Sequence, residues 1–583
     1  MNIYISGWDM FKCAVVTTII TCILLHSIRA ESLRLHPDPS VTSKTSLPYT
    51  MQSNQSIQPT ETRQQYYDVA NSIVYGLDNS IYVSGYNWNP STSSDWYIIS
   101  LDTSGIANWV YCYNGAANWQ DIGLSIVCGG DSHIYSAGYI THNPYDWDFT
   151  VISMTDTGAT NWIYRYDSPQ DMEIASSIIY GLDSNIYASG HIEGNGNDIL
   201  VVSLTQFGDT NWTYCYNNLS NLDDVSYAIT CGLDSIIYVC GYTNSPASGR
   251  DIFTLSLDTS GDSNWTYTYN GPGNSADEAH AIAFGLDGNL YIAGYCTGIN
   301  TGKDLIVASL DTDGDTNWIY VYDGPINADD WGSAICYGAD GNIYAVGSCS
   351  DSAQWWVEKN LVAVSLTSSG VLNWTYIYDG GDSDDEASSV VYGADGNIYV
   401  GGFRSGYDAL VIKLDVAGDT NWIYTYDGPA GAEDKIYDIV YGADGNIYAA
   451  GSSWGVFNND DLIVISLSQQ GSTNWIYRYD GYPGIEEAFS NQQRTDRGPA
   501  ISIYPQPCTR SATLVFNTLN TRRIASLYLY DAAGRKEDVI WRDYREIPKS
   551  YVYHIPAEIT SGIYYLVLNT DGPRYAKRLL VIR

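Results

Sequence analysis

Residues 384–427 read DDEASSVVYGADGNIYVGGFRSGYDALVIKLDVAGDTNWIYTYD, and the punctuation of this stretch decides the fold. Ala387 to Gly393 is a short apolar run, and Asn397 to Gly401 is a second. Asp395-Gly396 between them predicts a hairpin closed by a two-residue type I′ turn, with positive φ at both central positions. After a polar stretch, Ala409 to Leu414 reads as a third strand. Asp415 to Thr420 turns about Gly418, and Asn421 to Tyr426 makes a fourth. Four antiparallel strands in about 50 residues are the unit of a β-propeller blade.

The unit recurs down the chain. Each copy ends in Asn-Trp followed by a tyrosine-rich strand, at Trp109, Trp162, Trp212, Trp265, Trp318, Trp374, Trp422 and Trp475. Their spacing of about 48 to 56 residues lies in the range of propeller and solenoid repeats. The blades start near Tyr66, Asp121, Glu173, Asp223, Asp277, Asp330, Asp384 and Asp434. Each repeat holds a full strand set, lettered A to D from axis to rim. An eight-bladed propeller over 66–481 therefore needs no split blade, and the sequence leaves open whether residues 49–65 add a closing strand. Because side chains alternate along a strand, Trp422, Tyr424 and Tyr426 share one face, which must meet the neighbouring blade. The eight tryptophans are thus expected to hold blade against blade, with an upper bound of about 4–6 kcal/mol for each fully buried ring.

The net charge is −39 and the pI about 4.2. This excludes a nucleic-acid footprint, which needs positive charge, and leaves room for cationic partners, Ca²⁺ or plain solubility. The charge is uneven. Residues 66–481 hold roughly 8 basic and roughly 52 acidic side chains, whereas 500–583 hold roughly 12 and 7, which marks a second domain. At the N-terminus Lys12 precedes an apolar run from Cys13 to Leu25, too short for a membrane span, with small residues near Ala30. We read 1–30 as a signal peptide and 31–65 as a linker. No later segment is apolar enough to cross a bilayer. Cys112/Cys128 and Cys215/Cys231 share a spacing, but three strand steps separate each pair by about 14 Å, beyond disulfide reach.

The A–B turns hardly vary (Asp287-Gly288-Asn289, Asp340-Gly341-Asn342, Asp444-Gly445-Asn446), and they share one face of the disc with the C–D turns. The B–C loops and D–A connections occupy the other face, and the B–C loops diverge. They carry the candidate binding residues Trp88, Trp96, Tyr145, Trp147, Trp355, Trp356, Tyr407, Trp454 and Phe457. The D–A connections supply Asp224, Asp277, Glu278, Asp330, Asp384, Asp385, Glu433 and Asp434, expected to ring the channel mouth as a solvated acidic rim or as a seat for Ca²⁺ or a cationic partner. Asp311, Asp313 and Asp315 in one C–D turn look like a fragment of a Ca²⁺ loop, without the glutamate that completes one. The histidines stand at no metal-ligand spacing, and no nucleophile elbow or phosphate loop occurs. No catalytic residue and no cofactor is assigned; Ca²⁺ is the one ion the sequence leaves room for.

Three resemblances extend this reading. Leu257-Asp258-Thr259-Ser260-Gly261 through Trp265 resembles the tryptophan-docking motif of eight-bladed quinoprotein dehydrogenases, but the vicinal cysteine pair of those enzymes is missing and their cofactor is not carried over. The repeats look closer to bacterial extracellular propeller repeats of the form D-G-N-[IV]-Y-[VA]-x-G. The tail is more specific. Ile503-Tyr504-Pro505-Gln506-Pro507, then LYLYDAAGR (Leu527 to Arg535), SGIYYLVL (Ser561 to Leu568) and KRLLVIR (Lys577 to Arg583) read as a small Ig-like β-sandwich after a polar linker at 482–499. This order resembles the type A C-terminal sorting domain of the type IX (Por) secretion system, although Gln506-Pro507-Cys508 stands where that family more often has Asn-Pro-Phe. The resemblance implies Sec export, passage across an outer membrane by machinery that recognises 500–583, and release or anchoring at the cell surface. A secreted or surface binding propeller, for a protein or glycan, is the first functional reading. The alternatives are an extracellular propeller enzyme (glycan lyase, hydrolase or quinoprotein-like) with its site at the channel mouth, and a structural component of a surface layer.

Overall fold

The computed structural model describes residues 67–480 except 90–91, 144–145, 169–171, 195, 219, 351–357, 382 and 456–459, together with strand segments between 485 and 581. Residues 1–66, which the sequence reads as signal and linker up to 65, and Tyr145, Trp355, Trp356 and Phe457 lie outside the described residues. The chain divides into two compact units after Ile476.

The first unit is an all-β, eight-bladed propeller of antiparallel sheets in simple A-B-C-D order. Blade 5 shows the plan: strands Glu278–Phe284, Leu290–Thr297, Lys303–Leu310 and Thr316–Tyr322. The eighth sheet carries an additional strand, Ile485–Ser490, within what reads as linker. Strands B and C are apolar on both faces because each is covered by a blade on either side. Between blades 5 and 6, for example, Tyr291, Leu305 and Val307 pack with Ile343, Val362 and Leu366, and Trp318, Tyr320 and Tyr322 of strand D close the cluster at the rim. Every strand A has one extra, bulged residue opposite strand B; in blades 4 and 5 the register skips Tyr227 and His280.

The Asn-Trp pair has a distinct role for each residue. The asparagine is a bulge residue whose amide reaches back to a strand-C serine, as from Asn317 to Ser309 at 3.2 Å, except in blade 7, where Lys413 replaces the serine and Asn421 bonds Asn397. The tryptophan docks on the next blade. Trp265 donates its Nε1–H to the Thr312 carbonyl at 2.7 Å, Trp318 to Ser368 and Trp374 to Val416, both at 2.9 Å. Each ring lies over the glycine of the next C–D turn, so close that a Cβ on Gly314 would stand 2.6 Å from the Trp265 ring. The series closes on itself, since Trp475 donates to Thr103 of blade 1 at 2.8 Å and covers Gly105. Asp438 reinforces the closure by accepting from Ser72 and Ile73 of blade 1 and from Ser389 of blade 7. The rings are half-buried rather than fully buried, apart from Trp475 at 4% exposure, because no sheet lies outside strand D. Each is therefore worth less than the full-burial bound.

The A–B hairpins differ from the type I′ turn expected. Of the pair, only Gly396 has positive φ (76°), and its N–H bonds the Gly393 carbonyl at 2.9 Å. This is a type I turn followed by one left-handed residue. Asp395 has a different task, accepting the Asn397 N–H with Oδ1 and the Tyr399 hydroxyl with Oδ2.

The second unit contains two antiparallel sheets. One holds Ala500–Tyr504, Ser511–Asn517 and Ser550–His554; the other holds Ala525–Asp531, Lys536–Tyr544, Gly562–Thr570 and Arg574–Val581. Leu514 from the first and Leu527, Leu529, Leu566, Leu579 and Val581 from the second share one buried cluster.

Candidate functional site

The D–A connections do not form an open acidic rim. Asp224, Asp277, Asp330, Asp385 and Asp434 are fully buried, and Glu278 is 4% exposed. Each aspartate opens strand A and staples two chain segments through backbone N–H donors. Asp277 accepts from Gly271 (2.5 Å) and Thr297 (2.6 Å), Asp330 from Gly324 (2.6 Å) and Ser350 (2.8 Å), and Asp385 from Gly380 (2.5 Å) and Ser405 (2.6 Å). Asp224 bonds Asn218, Thr243 and Asn244, and Asp434 bonds Gly428. Burial pushes the carboxyls of Asp121, Asp277 and Asp330 up to about 6, against the pull of those N–H bonds. Asp384 is half-buried and takes the Lys359 N–H, while Glu433 is exposed and pairs with Lys435 at 3.3 Å.

The aromatic candidates also divide. Trp96 is fully buried, with its Nε1–H on Ser84 and its ring against Gly123 of blade 2, so it belongs to the core. Trp88 and Trp454 are half-buried where strand B ends. Trp147 stacks on Tyr139 with ring centroids 4.6 Å apart. Tyr407 is 39% exposed, holds a left-handed φ of 63°, and stacks on Phe403. Such a φ is strained for a bulky residue and persists only where neighbours impose it. Asp311 uses Oδ1 to accept the N–H groups of Asp313 and Asp315 within its own turn, and these three carboxylates do not converge on a point among the described residues.

Sequence reasoning missed a dense polar assembly between blades 4 and 5 on the face of the variable loops. Glu278 lies 2.6 Å from Arg250 Nη1, 2.6 Å from the Tyr295 hydroxyl, 3.2 Å from the Tyr227 hydroxyl and 3.4 Å from His280 Nε2. Burial favours its neutral form, but the bonds from His280, Tyr295 and Arg250 outweigh burial and hold the carboxyl well below the usual range. Tyr227 and His280 are the bulged strand-A residues of their blades, and a bulge re-aims a side chain. His280 Nδ1 reaches the Gly332 carbonyl of blade 6 at 2.9 Å, and its ring meets Tyr227 and Tyr295 edge-on.

Around the same face, cations of blades 4, 5, 6 and 8 rest on aromatic rings, whereas Arg404 of blade 7 pairs with Asp408. Arg250 lies 4.6 Å over Tyr242, Lys303 3.8 Å over Tyr295, Lys359 4.1 Å over Trp331, and Lys435 5.0 Å over Phe403. A signal for this was available. The position after the strand-A acid is Val69, Ile122, Ile174 and Val225 in blades 1 to 4, but Glu278, Trp331, Glu386 and Lys435 in blades 5 to 8. Half of the ring is apolar at that position and half is charged or aromatic.

No protein-family model matches the chain, and no curated protein matches it. Solved structures resemble it at low identity. PorZ, described as an essential bacterial surface component of the type IX secretion system of Porphyromonas gingivalis, is 11% identical, with a TM-score of 0.33 over 87% of this chain and 73% of that one. Sqt1 of Chaetomium thermophilum is 10% identical, with a TM-score of 0.40 over 65% and 93%. An apocarotenoid oxygenase of Synechocystis is 10% identical, with a TM-score of 0.34 over 62% and 92%. At these values the likenesses carry no information about activity. Among the described residues no helix is long and apolar enough to cross a membrane.

Proposed function

We propose that this chain is a secreted or cell-surface binding propeller, exported by the type IX route through an Ig-like sorting sandwich at 500–583, that takes a protein or glycan partner on the B–C and D–A face. The carrying observation is the asymmetry of that face. Glu278, Arg250, His280 and their tyrosines, with the ring-mounted Lys303, Lys359 and Lys435, gather on this face in blades 4, 5, 6 and 8. Aromatic surfaces beside fixed charges suit stacking and hydrogen bonding to a sugar or to an exposed peptide. A glycan-array and surface-protein screen with the full chain tests this. Lys359→Ala and Tyr407→Ala should each weaken the partner found by about tenfold or more, as a lost hot spot does. Binding that survives both but is lost on mutating the A–B turns of the opposite face would sink the assignment. Export is tested separately: deleting 500–583 should leave the protein in the periplasm, and unchanged surface display would contradict the sorting role.

The Glu278, His280 and Tyr295 group supports a second reading, an enzyme using these residues in acid–base work. Against it, burial and the adjacent Glu278 carboxylate push the Tyr295 hydroxyl far up, which suits a donor and not a base. Turnover of an array hit, lost in His280→Ala, would favour catalysis.

A further inference from the structure

Three carboxylates converge where blade 2 meets blade 3. Asp146 and Asp148 lie on strand C of blade 2 (Asp146–Met154), Glu173 opens strand A of blade 3 (Glu173–Tyr180), and one oxygen of each lies within 4.8 Å of the other two. A parallel bridge between Trp147 and Met172 joins the two elements, and the Glu193 N–H on the Met172 carbonyl at 2.7 Å ties Met172 into blade 3. Asp148 and Glu173 are completely buried. His142 Nδ1 holds Asp148 Oδ2 at 2.7 Å, and the Ser168 hydroxyl holds Glu173 Oε1. Asp148 Oδ1 and Glu173 Oε2 have no hydrogen-bond partner among the described residues. Buried polar oxygens without partners are rare in native proteins, and two in one carboxylate cluster call for a positive charge.

Comparison with the other junctions isolates this one. The strand-C carboxylate also has an unpartnered oxygen at Asp95, Asp251 and Asp304, so that feature alone is a property of the repeat. At the blade 5–6 junction Asp304, Asp323 and Asp330 converge too, but both oxygens of Asp330 already accept backbone N–H groups; at the blade 7–8 junction Asp408, Asp427 and Asp434 converge, but only Asp434 is buried. Blade 3 opens with glutamate where the other blades have aspartate, and Glu173 adds a second buried, unpartnered oxygen to the cluster.

We propose that Asp146, Asp148 and Glu173 form a Ca²⁺ site that clips blade 2 to blade 3, with His142 positioning Asp148. Three hard oxygen donors from two elements, completed by water, match the coordination that Ca²⁺ tolerates, and an all-carboxylate set disfavours softer metals. The site is independent of any partner on the variable-loop face. The test is calorimetric titration of the full chain with Ca²⁺, in millimolar Mg²⁺ to occupy diffuse acidic surface, with thermal melts in parallel. The expected result is one saturable site with a Kd of about 1–100 μM and a melting point several degrees higher in excess Ca²⁺. Asp146→Asn and Glu173→Gln should each weaken binding at least about tenfold and reduce the melting shift at a fixed Ca²⁺ concentration, while Asp311→Asn, in an exposed turn, leaves both unchanged. Should buried Glu173→Gln fail to fold, half-buried Asp146→Asn carries the test. Absence of saturable binding in Mg²⁺, or a folded Asp146→Asn protein with wild-type affinity, overturns the proposal.

Discussion

Blade docking is testable with two alanine substitutions in the same blade. Gly288 and Gly314 have nearly identical positive φ, 84° and 85°. A Cβ on Gly288 meets nothing within 4 Å, whereas one on Gly314 stands 2.6 Å from the Trp265 ring. Gly288→Ala should therefore cost only the left-handed strain of an L-residue, about 1–2 kcal/mol. Gly314→Ala carries the same strain and must also push the indole back by about 1 Å to reach an ordinary carbon contact. That displacement breaks the 2.7 Å bond from Trp265 to Thr312, worth about 1 kcal/mol, and opens part of the aromatic contact between blades 4 and 5. The expected excess of Gly314→Ala over Gly288→Ala is about 1–3 kcal/mol. Urea unfolding followed by circular dichroism and tryptophan fluorescence reads it as a lower midpoint at unchanged slope. Equal midpoint shifts in the two variants would show that the tryptophan does not brace the ring, and the docking argument would fail.

Three further outcomes follow from the geometry. Asp438→Asn removes the charge from a carboxylate that joins blade 8 to blades 7 and 1; it should destabilise the ring by about 1–3 kcal/mol, with limited proteolysis starting in blade 1. Because burial raises Asp121 and Asp277 to about 6, the folded chain holds protons that the unfolded chain, titrating near 4, has already released. Stability should then rise as pH falls from about 7 to about 5, and a melting point that drops over that interval contradicts the burial of these carboxyls. Glu278→Gln leaves Arg250, which is 42% exposed, without its ionic partner and should lower stability by about 1–2 kcal/mol in a thermal melt.

Local features were legible along the chain because they depend on near neighbours. The period of the Asn-Trp pair, the apolar runs and the glycines between them are enough to place the strands of each blade. The A–B turn was misread because Asp-Gly suits several hairpin turns; Asp395 spends its carboxylate on Asn397 and Tyr399, and only Gly396 turns left-handed. The D–A acids were misread for a different reason. A run such as Asp329-Asp330 looks solvated in sequence, yet Asp330 is buried because Gly324 and Ser350 deliver N–H groups to it from two other segments.

The amino-acid sequence by itself determined the number of blades, their strand order and the break between an acidic repeat domain and a basic tail, since all of these follow from period, alternation and composition. Only the tertiary structure decided which residues of the variable face belong together. Tyr227, Arg250, Glu278, His280 and Tyr295 come from four strands of two blades, and Asp148 meets Glu173 only because adjacent blades are packed face to face. The physical reason is that a blade cannot bury its own faces. Its charges and ring edges acquire partners from the neighbouring repeat, and that pairing has no signature in the spacing of residues along one strand.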